Sequence, residues 1–438
     1  MRQAGPDITE TERSGVTGVN PDPTLLDDLV WRGLIAHSTD LGALREALIS
    51  GSVRFYVGFD PTAPSLHMGN LLQLTTARRL QDAGHTPYLL VGGATGMIGD
   101  PKDSAERTLN SLDTVKEWSE TVHRQVQPYV SFEGSNAATV VNNYDWTASL
   151  STIDFLRDIG KHFPVNRMLG RDTVKRRLES GISYTEFSYV LLQSMDFLNL
   201  YRDHGVTLQH GGEDQWGNIT GGVELIRRAD GGKAHAFVTP LVTRPDGTKY
   251  GKTEGDALWL DPQMMSPYAF HQWWLNVDDS QVSQMLRLFT FLSRAEIEAL
   301  EAETAEKPWL RSGQKRLADE ITTLVHSADE AEQAKAAASA LFGGGDLHGL
   351  SPTTLAAALR EAGSTSVPAL VPVVDLLVET GLAKSRGEAR RTITEGGAYL
   401  NNVRVEDPEA TPEASDLIGG SWLVLRRGKK SFAGVEVG

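Results

Sequence analysis

Between Val53 and about residue 240, short apolar runs alternate with stretches of helical periodicity. Val53 to Phe59, Pro87 to Val91 and Thr139 to Val141 are each of strand length and are bounded by polar or glycine-rich text. Strands separated by helices need crossover connections, so the pattern predicts an α/β fold: a doubly wound parallel sheet covered by helices. In such a sheet, ligands gather at the carboxyl ends of the strands, where helix N-termini offer unpaired N–H groups. Residues that follow the strands are therefore the first place to look for chemistry.

At 438 residues the chain exceeds one ordinary core. Residues 1–23 are polar, contain Pro6, Pro21 and Pro23, and lack apolar periodicity, which predicts a disordered leader. The α/β unit is expected over 24–262. Over 263–342 Ala, Glu, Leu and Gln dominate, and apolar residues recur at helical spacing from Gln281 to Leu292 and again from Ile297, predicting an all-helical domain. Gly343, Gly344 and Gly345 open a polar stretch that reads as a linker over 343–367. A small α+β domain is expected over 368–438, with a helix at Arg386 to Thr394 and strands near Tyr399 to Val403 and Trp422 to Leu425.

Composition narrows the function classes. Hydrophobic residues make up 40% and charged residues 23%, as in ordinary folded proteins. No apolar run approaches the roughly 20 residues of a membrane span, and the N-terminus lacks a signal-peptide pattern, so a cytoplasmic protein with no membrane role is expected. The absence of cysteine removes disulfides, thiolate metal sites and cysteine nucleophiles. A net charge of −15 speaks against general coating of nucleic acid, so any RNA contact must use local basic patches.

Three constellations carry candidate chemistry. The first runs from Tyr56 through Gly58, Asp60, Pro61, Thr62, His67 and Gly69 to Asn70, a strand that ends in a proline-containing turn and enters a helix near His67 or Gly69. Such a junction suits a nucleotide, although a His at a helix start is commonly only a cap. The second, Arg244 to Thr253, is a polar loop with Lys249 and Lys252 three apart and Thr253 next door. It can fold over phosphates, or it can be a surface hairpin turning at Asp246-Gly247. The third is the amphipathic segment Tyr184 to Leu198, on which Tyr189, Gln193 and Asp196 share one helical face among Leu191, Leu192, Met195 and Phe197. Glycine-rich text around Thr95 and Asp100, and the run Gln209 to Asn218 with Gly212, Asp214 and Gln215, mark turns at further strand ends.

Together these motifs resemble the class I aminoacyl-tRNA synthetases in their tyrosine-specific form. His67-Met68-Gly69-Asn70 is similar to the family's His-Ile-Gly-His signature, with Asn70 for the second His; Lys249-Tyr250-Gly251-Lys252-Thr253 is similar to its Lys-Met-Ser-Lys-Ser loop. After Asp100 the family's Pro-Ser-Gly-Lys becomes Pro101-Lys102-Asp103-Ser104. The tryptophan-specific branch shares both signatures, but Tyr56 with Asp196 argues for a phenol.

The resemblance implies an enzyme that activates L-tyrosine with ATP to tyrosyl-adenylate and pyrophosphate, then transfers tyrosine to the 3′-terminal ribose of tRNA(Tyr). Catalytic roles fall to Thr62, His67, Lys249, Lys252 and Thr253, which supply cations and donors to the phosphates. Tyr56 and Asp196 would bind the phenolic hydroxyl, Tyr189 and Gln193 the α-amino group with Asp100 nearby, and Asp60, Thr95 and Gln209 complete the tyrosine pocket. ATP contacts are implied for Gly58, His67, Gly69, Asn70, Gly212, Asp214, Gln215, Lys249 and Lys252. Mg2+ would accompany ATP, with no metal held by the protein, and the molecule would be a homodimer.

The C-terminal segment from Ser385 to Ile393 resembles a small RNA-binding module shared with a ribosomal protein and pseudouridine synthases. Arg386, Arg390 and Arg391 lie on one helical arc, and Arg426, Arg427, Lys429 and Lys430 follow the last strand-like run before the C-terminus. The two groups could grip a phosphate backbone, or be solvated charge offset by Glu388 and Glu395. A synthetase-derived RNA-binding protein without catalysis stays open as the competing class.

Overall fold

The computed structural model describes residues 21–101, 110–248, 250, 257–343, 345–428 and 431–438. Most of the leader, Lys102, Lys249, Lys252, Thr253, Lys429 and Lys430 therefore lie outside the described residues.

The chain forms two compact units, one running to Leu260 with Arg287–Phe291 attached, the other comprising Asp261–Leu286 and Leu292–Gly438. The first is built on a six-stranded sheet of β1 (His37–Ser38), β2 (Arg54–Phe59), β3 (Thr86–Val91), β4 (Thr139–Asn142), β5 (Leu208–Gly212) and β6 (His235–Thr239). Their order is β1-β6-β5-β2-β3-β4, parallel throughout except for the short edge pair β1/β6. The three strands expected from apolar runs are β2, β3 and β4. All six residues of β3 are buried, as a strand covered on both faces must be.

The longer helices around the candidate site residues are α1 (Met68–Asp82), which carries Gly69 and Asn70, α2 (Tyr184–His204), which carries Tyr189, Gln193 and Asp196, and α3 (Trp216–Asp230), whose N-cap is Gln215. Ser183 caps α2 by accepting from the Glu186 N–H at 3.2 Å, and Gly205 closes it at φ 62°. Against the sheet α2 buries Met195, Phe197 and Leu198, which share a core with Tyr56 of β2 and Leu225 of α3. β2 pairs with β3 on one side and β5 on the other, so the chain order reverses between β2 and β5. A crevice opens at that switch point, beyond the strands' carboxyl ends.

The second unit contains helices α4 (Pro267–Leu275), α5 (Arg294–Glu306), α6 (Ser312–Val325) and α7 (Ala328–Gly343), then α8 (Pro352–Ala362) and α9 (Arg386–Thr394). Its five-stranded sheet runs β7 (Ser364–Val367), β11 (Ser431–Val437), β10 (Trp422–Arg427), β8 (Ala398–Leu400), β9 (Val403–Arg404). The expected linker over 343–367 is corrected here. It contains α8, which buries Leu355, Ala358 and Leu359, and β7, which pairs in parallel with β11. Alternation along β10 explains why the helices and the terminal domain are one unit. Trp422 and Val424 join a core with Ala334, Ala337 and Leu341 of α7, while Leu423 and Leu425 face Leu376, Ile393 and Val435. The signal for α8 was present in Ser351-Pro352, an N-cap followed by proline at the first helical position.

Candidate active site

The crevice at the switch point is a cavity of about 370 Å³. Its walls include Tyr56, Gly58, Asp60, Thr62, His67, Gly69, Asn70, Thr95 and Asp100, together with Tyr189, Gln193, Asp196, Gln209, Gly212, Asp214 and Gln215. The described residues given catalytic or binding roles from the first and third constellations and the two glycine-rich turns thus line one cavity. From the second constellation Tyr250 reaches it, and Arg244 lies over the Tyr250 ring at 5.4 Å. At the tip of that loop the tight turn is also real: Gly247 sits at φ 82°, and the Thr248 N–H donates to Asp246 Oδ1 at 2.9 Å.

At the deep end Asp196 is 2% exposed, and its carboxylate accepts from Asn143 Nδ2 at 3.0 Å and from Trp146 Nε1 at 2.9 Å. Burial pushes its pKa up to about 7; the two donors pull it down and Asp60 pushes it further up. The Tyr56 ring packs edge-on to Phe197 at 5.2 Å, and its buried hydroxyl has no partner in good hydrogen-bond geometry among the described residues, with the Gln209 side chain the polar group beside it. A neighbouring hydroxyl that accepts from Tyr56 and donates to Asp196 would satisfy both groups.

The network spreads toward the cavity's middle. Asn143 also donates to Thr95 Oγ1 at 2.9 Å and accepts from the Ala94 N–H at 2.7 Å. Thr95 donates to Asp60 Oδ1 at 2.6 Å, and Tyr189 donates to Asp60 Oδ2 at 2.6 Å. Gly92 is glycine because a Cβ there would overlap Asp60 Oδ1 and crowd Thr95 Oγ1. Asp100 accepts from Gln215 Nε2 at 2.8 Å and Asn218 Nδ2 at 3.0 Å. Burial raises its pKa to about 6 against those two amides, with Asp60 and Asp214 adding to the rise. The buried oxygens Gln193 Oε1 and Gln209 Oε1 have no partner among the described residues. Gln193 Oε1, the remaining Tyr189 lone pair and Asp100 thus offer acceptors to a cation.

Toward the mouth, His67 is the N-cap of α1. Its Nδ1 accepts from the Gly69 N–H at 3.0 Å, and Asn70 Oδ1 accepts from the His67 N–H at 3.0 Å. The cap and the candidate ligand are the same side chain. Enclosure by the cleft walls lowers the imidazole pKa although the ring keeps contact with solvent, so the neutral ring carries its proton on Nε2. Gly69 leaves the room that the His67 ring takes: a Cβ there would come within 2.9 Å of it. Asn70 spends its oxygen on the cap and keeps its amide for donation.

Asn143, Trp146 and Asn218 were not singled out from the sequence. For the first two the signal available was the polar text Asn143-Tyr144-Asp145-Trp146 directly after β4, at a strand's carboxyl end. Among the C-terminal arginines, Arg386 pairs with Asp375 at 2.9 Å, Arg390 with Glu409, and Arg427 with Glu388 at 2.9 Å. Arg426 lies over Tyr399 at 4.2 Å, and Arg391 is exposed with no ion pair among the described residues.

Comparisons with known proteins agree with this geometry. The family described as tRNA synthetases class I (W and Y) matches residues 50–343, and a tyrosine–tRNA ligase SYY-like C-terminal domain matches residues 356–435. A tyrosine–tRNA ligase of Streptomyces griseus is 60% identical over 417 residues, covering 94% of this chain and 99% of that protein. The Corynebacterium glutamicum tyrosine–tRNA ligase is 55% identical, again over 94% of this chain and 99% of the relative. A C-terminally truncated mitochondrial tyrosyl-tRNA synthetase from Aspergillus nidulans superposes with TM-score 0.64 at 31% identity, over 71% of this chain and 92% of that one. Two family models that together span most of the chain, and relatives matched over nearly their whole length, lead to one conclusion: the chain belongs to the tyrosine–tRNA ligases, within the class I aminoacyl-tRNA synthetase family.

Proposed function

We propose that the cavity holds tyrosine with its phenol at Tyr56 and Asp196 and its α-ammonium among Tyr189, Gln193 and Asp100, and holds ATP toward His67, Gly69, Asn70, Gly212 and Asp214. The observation that carries the reading is at the closed end, where the unpartnered Tyr56 hydroxyl lies with a buried Asp196 carboxylate whose bonds from Asn143 and Trp146 leave it room to accept another. Phenylalanine would leave the Tyr56 hydroxyl unpaired and Asp196 with its protein donors alone, and tyrosine-specific synthetases are themselves the standard instance of rejection by that means.

The tyrosine carboxylate attacks the α-phosphorus of Mg-ATP, the bond to the β-phosphate oxygen breaks, and pyrophosphate departs. The 3′-terminal ribose hydroxyl of tRNA(Tyr) then attacks the activated carbonyl and AMP leaves. Magnesium enters with the nucleotide. No side chain is needed as a nucleophile: His67 Nε2–H, Thr62, Lys249, Lys252 and Thr253 supply donors and cations to the phosphates. Arg391 and the other C-terminal basic residues touch the tRNA backbone. Between 153 and 184 the large apolar side chains of Ile153, Val165 and Tyr184 are 68%, 60% and 68% exposed, which supports a second copy covering this surface in a cytoplasmic homodimer. Among the described residues no helix is long and apolar enough to cross a membrane.

The test is ATP–pyrophosphate exchange with purified protein across tyrosine, phenylalanine and tryptophan. Exchange with tyrosine alone is expected; exchange with tryptophan would overturn the phenol assignment.

A further inference from the structure

A chain of buried polar side chains lies at the nucleotide end of the cavity, with Gln73 and His210 on its wall and Thr239 behind them. Gln73 of α1 is 8% exposed, His210 of β5 1% and Thr239 of β6 0%. Gln73 Nε2 donates to Thr239 Oγ1 at 2.8 Å, and Thr239 Oγ1 donates to the Gly211 carbonyl at 3.4 Å. The Gln73 amide is therefore committed as donor on its nitrogen, and its oxygen must accept. It stands 3.3 Å from His210 Nδ1, which fixes the proton of the imidazole on Nδ1. The ring is held flat against Phe237, centroids 5.4 Å apart and planes 11° from parallel. Burial alone drives the His210 pKa down to about 3, so the ring stays neutral and the direction of the chain does not change at physiological pH.

Three buried polar side chains cost stability unless each is satisfied, and an apolar trio could fill the same space. What the polar trio adds is direction. It joins α1, which is capped by His67 and carries Gly69 and Asn70 in its first turn, to β5, which runs into Gly212 and Asp214, and to β6, which runs into Leu241 and Val242 on the cavity wall. Its last bond ends on Gly211, and Gln73 Nε2 lies 4.0 Å from where a Gly212 Cβ would sit. The tyrosine end of the cavity is lined by Tyr56 of β2, Thr95, Gln209 of β5 and the α2 residues Tyr189, Gln193 and Asp196, none of which belongs to this chain of bonds.

We infer that Gln73 is a positioning residue for ATP, acting with His210 and Thr239 as a staple that sets the helix start carrying His67 against the turn at Gly211–Asp214. This rests on the assignment of the nucleotide to the His67 end of the cavity. With the staple intact, the two walls keep one separation before ATP arrives; without it, ATP binding must fix that separation itself.

The experiment is pyrophosphate exchange on Gln73→Met and His210→Phe, with KM for ATP, the dissociation constant for tyrosine and thermal stability measured on each full-length variant. A rise in ATP KM of about threefold to tenfold is expected, the size of one or two lost hydrogen bonds, with tyrosine affinity unchanged. The double variant should lose little more than either single one, because both cut the same chain. Thr239→Ser, which keeps the hydroxyl, should retain the wild-type KM while Thr239→Val should not; this pair serves if Gln73→Met does not fold. Equal weakening of ATP and tyrosine, or an unchanged ATP KM in folded variants, overturns the inference. His67→Asn tests the underlying assignment separately: if it leaves ATP KM and turnover unchanged, the placement of the nucleotide fails rather than the staple.

Discussion

The Tyr189 hydroxyl donates its proton to Asp60 at 2.6 Å, so toward the cavity the phenol oxygen of Tyr189 is an acceptor. That polarity suits an ammonium group. Tyr189→Phe should weaken tyrosine binding about threefold to tenfold, read by equilibrium dialysis. It also strips a donor from Asp60, so Asp60→Asn should partly mask the effect in a double-mutant cycle.

Asn143 holds Asp196, Thr95 and the Ala94 N–H at once. Asn143→Ala leaves those buried groups short of partners and should cost about 1–3 kcal/mol of stability, measured by denaturant unfolding. With one donor gone, Asp196 should titrate at still higher pH, which shifts the pH dependence of tyrosine affinity upward.

Asp196→Ala removes the acceptor for the substrate phenol. Tyrosine should lose about 1.5–3 kcal/mol of binding, the worth of a hydrogen bond to a charged group, while phenylalanine loses little. The ratio of the two kcat/KM values in pyrophosphate exchange checks this; an unchanged ratio would exclude Asp196 from phenol recognition.

Tyrosine affinity should rise with pH and then level off. In the empty cavity burial holds Asp100 protonated below about pH 6 and Asp196 below about pH 7. A bound ammonium and a donated phenol proton favour both carboxylates ionised, so binding expels protons below those values and none above them. Calorimetry in buffers of different ionisation heat reads the release, and Asp100→Asn should remove the lower step.

In the C-terminal domain the arginines divide by their present bonds. Arg427 pairs with Glu388 and donates to the Leu382 carbonyl at 2.6 Å, so Arg427→Ala should lower the melting temperature. Arg391 makes no such bonds among the described residues. Arg391→Ala should leave stability and pyrophosphate exchange intact while reducing tRNA affinity and the slope of its salt dependence by about one.

Much of the catalytic unit was legible because periodicity and punctuation survive in the text. The apolar runs gave β2, β3 and β4 within a residue or two, and the helix expected from about His67 begins at Met68. Spacing put Tyr189, Gln193 and Asp196 on one face of α2, and all three line the cavity. The division of the C-terminal half was less legible. Gly343 to Gly345 interrupts the helical pattern without ending the unit, since α8 and β7 follow at once and pack on both sides of the break.

The sequence alone determined the alternation of strands and helices, and hence the strand ends at which ligands gather, because side-chain periodicity is a local property of the backbone. It also carried the residue types that a phenol, an ammonium and a triphosphate require. Only the tertiary structure decided how those groups are spent: that Tyr189 gives its proton to Asp60, that Asn143 and Trp146 hold Asp196, and that Gln73 joins His210 to Thr239 across 137 and 166 positions of chain. Hydrogen bonds between distant segments have no periodicity to read, and the burial that shifts the pKa of Asp100 and Asp196 exists only once the layers have closed over them.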